Sequence, residues 1–111
     1  MEEKLINLIK NTLRIKCDSV FDKIPVPCAL VDIYSITPGL VGNGISVNDN
    51  FDVQVDLYYK AKNPFDEAVK TLYETLKIEK YYSLPYVEKY FDKEASLYRA
   101  TFKFYIIESE E

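Results

Sequence analysis

NFDVQVDLYYKAKNPFDEAVKTLYETL (residues 50–76) passes from a two-residue rhythm to a helical one across a single Asn-Pro. Phe51, Val53, Val55, Leu57 and Tyr59 alternate with Asp52, Gln54, Asp56, Tyr58 and Lys60. That pattern predicts a strand with one apolar and one polar face. Asn63-Pro64 then opens a predicted helix, with Asn63 as N-cap and Pro64 at the first helical position. Its apolar residues Phe65, Val69, Leu72 and Leu76 share one side, and Asp66 and Glu67 suit the positive end of its dipole.

Outward from this unit, the N-terminal residues 2–16 read as a first helix with Leu5, Leu8, Ile9 and Leu13 as its buried stripe. In residues 17–26, Val20, Phe21 and Ile24 extend that stripe or form a second short turn, and Pro25 and Pro27 end any helix. CALVDIYSIT (28–37) is rich in β-branched residues and reads as a central strand partly covered on both faces. PGLVGNGISVNDN (38–50) holds all three glycines and reads as a connection of about 12 residues, longer than an ordinary hairpin loop. It is either an exposed tip or an arm reaching another subunit, because Leu40, Val41, Ile45 and Val47 are costly to leave in water.

Residues 81–108 read as two antiparallel strands around Asp92-Lys93-Glu94. In the last, Tyr98, Ala100, Phe102, Phe104 and Ile106 face one way, opposite Arg99, Thr101 and Lys103. The strand preceding the last one contains Pro85, which cannot donate to a ladder, so that strand is expected at an edge or a bulge. The expectation is one α+β domain over residues 1–111: a four-stranded, mainly antiparallel sheet, two helices on one face, and a long loop between the first two strands.

Composition narrows the chemistry. The chain has no histidine, so any catalysis would run on Asp, Glu, Lys, Tyr or Cys. Cys17 and Cys28 cannot complete a usual zinc site; they read as reduced, packed thiols, with a disulfide as the alternative. Residues 24–59 hold Asp32, Asp49, Asp52 and Asp56 without a Lys or Arg, so this stretch carries the whole net charge of −4. A nucleic-acid grip requires the opposite, a clustered basic surface. No apolar run approaches the ~20 residues that cross a bilayer, and the charged amphipathic N-terminus does not read as a signal peptide. Asp52 and Asp56 sit about 13 Å apart along one strand face, too far for a paired-carboxylate or two-metal site. Lys60 lies too far along for the acid-x-Lys of a nuclease core. Six tyrosines between Tyr81 and Tyr105 divide between sheet core and interface, with base stacking as the remaining option.

NFDVQVDLYYK followed by NPFDEAVKTLYETL, inside a helix–strand–long loop–strand–helix–strand pair order, resembles the small tail terminator or tail-completion proteins of phages, prophages and phage-tail-like particles. The resemblance spans nearly the whole chain. It implies a non-enzymatic virion protein without cofactor or metal, which forms a homo-oligomeric ring, commonly of six copies. The ring caps the tail tube at its head-proximal end and stops its polymerisation. Implied partners are the tail tube protein, the sheath and the head–tail connector; no membrane or specific nucleic acid is involved. The implied location is the particle's tail, with assembly in the host cytoplasm. On this reading Leu40, Val41, Ile45 and Val47 contact the neighbouring subunit or the tube, and Asp52 and Asp56 face the lumen. The alternatives are a head–tail joining protein and a small protein-binding regulatory module.

Overall fold

A computed structural model describes residues 2–19, 26–38, 41–42, 45–46 and 49–107. The elements in chain order are α1 (Glu2–Leu13), β1 (Lys16–Asp18), β2 (Cys28–Pro38), β3 (Val41–Gly42), β4 (Ile45–Ser46), β5 (Asp49–Tyr59), α2 (Lys62–Lys77), β6 (Tyr86–Asp92) and β7 (Leu97–Ile107). Five strands form one sheet in the order β1-β2-β5-β7-β6, and β3 pairs with β4. The β2–β5, β5–β7 and β6–β7 pairs are antiparallel, whereas β1 runs parallel to β2.

This corrects the expectation of a four-stranded, mainly antiparallel sheet: the sheet is five-stranded and mixed. The extra strand comes from residues 16–18. Arg14 enters the left-handed region at φ 55°, and its N–H still bonds to the Lys10 carbonyl at 2.8 Å. The helix therefore stops at Leu13, not near Lys16, and the chain turns into β1. Cys17 points inward while Lys16 and Asp18 stay exposed. Three residues are too few for a two-residue period to declare itself in sequence. Val20, Phe21 and Ile24 lie outside the described residues.

The alternation in β5 and β7 is realised as read. Val53, Val55 and Leu57 are fully buried, as are Ala100 and Phe102, and Val53 faces Phe104 across the ladder. Leu5 and Ile9 of α1, with Phe65, Ala68, Leu72 and Leu76 of α2, join that same cluster, so both helices cover one face. Burying Phe102 or a core leucine contributes roughly 1.5–3 kcal/mol each through apolar area alone.

The start of α2 also differs from expectation. The first backbone bond runs from the Phe65 N–H to the Ala61 carbonyl at 3.2 Å, so Ala61 is the N-cap and no side chain caps the helix. Asn63 and Pro64 lie inside the first turn, where a missing N–H costs nothing. Asp66 is then beyond that turn, and it pairs with Lys89 of β6 at 3.2 Å.

The long connection is largely a hairpin. Val41 faces Ser46 and Gly42 faces Ile45, continuing the register in which Pro38 faces Asp49 and Thr37 faces Asn50. The two residues between Gly42 and Ile45 are Asn43-Gly44, the strongest short-range hairpin signal a sequence carries. The β2–β5 ribbon thus runs on past the end of β7. Accordingly the radius of gyration is 15.1 Å, against about 13 Å for a compact domain of this length, and the longest extent is 52 Å.

At the other edge, β6 starts one residue after Pro85. Tyr86 faces Lys103 while Tyr82 bridges Ile106, so four steps on one strand match three on β7. Pro85 lies within that bulge at the sheet edge, as its missing donor requires.

Candidate functional site

The sheet face away from the helices is built from the alternate residues of three strands. Register places Gln54, Asp56 and Tyr58 of β5 beside Arg99, Thr101 and Lys103 of β7, with Tyr86, Glu88 and Tyr90 of β6 beyond them. Asp56 is the hub. Its carboxylate accepts from Thr101 Oγ1 at 2.6 Å, Gln54 Nε2 at 3.1 Å and Arg99 Nη2 at 3.3 Å. Three donors converging on one half-buried carboxylate fix it in place as an acceptor.

Arg99 is sandwiched as well as paired. Its guanidinium lies 5.6 Å from the Tyr58 ring centroid and 5.4 Å from that of Tyr90, and it donates from Nη1 to the Tyr90 hydroxyl. Its Nε is buried without a hydrogen-bond partner among the described residues. Burial disfavours its charge, but the Asp56 carboxylate, Tyr58 and Tyr90 together outweigh that and hold its pKa above the ordinary value. Burial, and then the charge of Asp56, push the Tyr58 phenol upward. A shallow concavity of about 190 Å³ opens beside this network, lined by Gln54, Tyr86, Glu88, Arg99, Thr101 and Lys103. It mixes both charges with hydroxyl and amide groups.

Of the two acids expected to face a lumen, both lie on this open face, but each is engaged within the chain. Asp56 is charge-balanced by Arg99. Asp52 accepts from Thr37 Oγ1 at 3.0 Å, and its register partner is Tyr105. The four arm residues divide: Val41 and Ile45 lie in the short pair β3–β4, while Leu40 and Val47 fall outside the described residues. The six tyrosines of residues 81–105 also divide. Tyr82 and Tyr98 pack against the core, and Tyr81, Tyr86, Tyr90 and Tyr105 are exposed.

Cys17 and Cys28 are free thiols, both buried. Burial pushes the Cys17 pKa up to about 11 and raises that of Cys28. Among the described residues no group of three or more Cys, Asp or Glu is placed to hold a metal. Nor is any helix there long and apolar enough to cross a membrane.

Sequence reading named Arg99, Thr101 and Lys103 as one face of the last strand. It did not join Arg99 to Asp56, because that pairing needs the β5–β7 register: Asp56 faces Thr101, and Arg99 is the diagonal neighbour opposite Tyr58. The class of protein these features define is a two-layer α+β domain with an unpartnered, tyrosine-framed polar sheet face and a projecting hairpin. No protein-family model matches this chain, and no curated protein matches it.

Proposed function

We propose that this chain is a structural virion protein of a tailed phage, prophage or phage-tail-like particle. In this reading, copies assemble into a ring at the head-proximal end of the tail tube and end its polymerisation. The observation that carries it is the projecting ribbon: the β2–β5 pairing reaches Pro38 and Asp49, past the Asn50–Ile107 pair that ends the described β5–β7 ladder, and β3 and β4 pair in the same register. An extent of 52 Å in a domain of 111 residues supports a role for the ribbon in contacts outside its own core. The resemblance in the strand–helix unit at residues 50–76 supplies the particular partner, the tail tube.

Closed cyclic symmetry suits such a wedge, because every heterologous surface then finds its complement. With the helices outward, the open face turns to the channel. Asp56 and Arg99 cancel there, so repulsion of a polyanion rests on Asp32, Asp52 and Glu88 against Lys103. The test is electron microscopy of tail tubes polymerised with and without the protein. Tubes of bounded length carrying extra density at one end support the reading. Unbounded tubes with bare ends overturn it, and density found only on the head side would favour the joining-protein alternative.

A further inference from the structure

β6 closes one side of the sheet, and among the described residues no strand pairs with its outer edge. Such an edge offers its free N–H and C=O groups to any extended chain, including the same strand of another copy. At seven residues β6 is long enough for this, and Tyr86, Val87, Tyr90 and Phe91 are strong strand formers.

Its inner face holds one residue that breaks the pattern. Register sets Val87 opposite Phe102, Lys89 opposite Ala100 and Phe91 opposite Tyr98, so these three share the face that the helices cover. Val87 packs on the core, and the Phe91 ring lies 4.8 Å from that of Tyr98, centroid to centroid. Between them the alternation asks for an apolar residue, and the chain supplies a lysine. Lys89 Nζ sits 5.9 Å from the Phe65 ring centroid and 3.2 Å from Asp66 Oδ1. Both partners of that ion pair are nearly half-exposed, a setting in which such a pair adds little to stability. The charge has to answer to something other than the fold.

Pairing of β6 with its own copy supplies the reason. Two copies that continue the sheet around a two-fold axis must pair residues of like parity, because opposed residues share a face. The axis then passes through a residue that meets itself. Centred on Lys89, all seven residues pair and Lys89 meets Lys89, with Cβ atoms about 5 Å apart. Centred on Glu88, residues 86–90 pair and Glu88 meets Glu88. Centred on Tyr90, residues 88–92 pair and Glu88 meets Asp92 twice. Every register of five or more residues therefore sets like charges directly opposite, which destabilises a strand pair.

We infer that Glu88 and Lys89 bar β6 from pairing with a second copy of itself, and that Lys89 alone stands against the full-length pairing. Without its charge, that register sets Val87 against Phe91 on both sides of the axis. A two-fold dimer of this kind would use up one edge of the sheet, so the bar keeps β6 out of closed pairs. The inference stands on the strand itself and does not depend on the ring reading.

The experiment is sedimentation of Lys89→Val beside the wild-type chain, with hydrogen exchange of residues 86–92 locating the contact. The variant should associate about tenfold more tightly and exchange its β6 amides more slowly. Lys89→Arg keeps the charge and should match wild type. Lys89→Cys puts a thiol on the axis, so mild oxidation should link two copies through it. Tyr86→Cys, also exposed on this strand, keeps Lys89 and should not link. That pair of thiol variants decides the question should Lys89→Val fail to fold. A folded Lys89→Val chain that associates no more tightly than wild type, or does so without slower exchange in β6, overturns the inference. So do two thiol variants that link at the same rate.

Discussion

Asp56 shows how one residue's role depends on partners that are remote in sequence. Its carboxylate gathers Gln54, Arg99 and Thr101, and removing it strands a guanidinium whose Nε already lacks a partner. Asp56→Ala should therefore cost roughly 1–3 kcal/mol in urea unfolding, more than a surface substitution of the same size. Asn63 offers the opposite lesson. It looks like a cap, but Ala61 holds that position, so Asn63→Ala should shift stability by less than about 0.5 kcal/mol. Ser96 sits in the β6–β7 turn at φ 54°, a conformation that burdens a residue with a Cβ. Ser96→Gly should leave stability unchanged or raise it by up to about 1 kcal/mol, read as a shift in melting temperature. The thiol of Cys17 adds a pH dependence. Its folded pKa of about 11 lies above the ordinary 9.0, so the unfolded chain releases its proton first. Stability then falls as pH rises from near 9 toward 11, and Cys17→Ala should flatten that slope in a pH series of urea melts.

Elements were legible where a period had room to repeat. β5 and β7 run 11 residues each, and their alternation assigned both faces of the sheet correctly. The 16 residues of α2 displayed their apolar stripe, and Pro85 marked the edge strand through its missing donor. β1 was not legible, because three residues cannot show a period and its pairing with β2 is a tertiary event. The start of α2 shifted by two residues because Pro64 is accepted anywhere in a first turn. The hairpin was half-legible: length and glycines marked it as unusual, and Asn43-Gly44 could have placed its tip. The polar network lay beyond reach, since alternation assigns a face but not the register that brings Arg99 to Asp56. Among the described residues, β3 and β4 make their ladder with each other, apart from the five-stranded sheet that carries the core. Deleting residues 41–45 should therefore leave the urea transition of the core near wild type while self-association is lost. Unchanged association would remove the hairpin from the assembly contact.

At the scale of the whole molecule, among the described residues the sheet has edges at β1 and β6 and a polar face uncovered by helices, which are the surfaces the proposed ring would use. Exposed Tyr86, Tyr90 and Tyr105 add anchors of the kind that interfaces favour. The central claim is that this chain works by fitting against its own copies and a tail tube. The most direct measurement is cryo-electron microscopy of purified tail tube protein polymerised with this chain. The account predicts a ring of copies seated on one end of each tube, hairpins engaged with neighbouring subunits and the open sheet face toward the channel. Bare tube ends beside free monomers would contradict it.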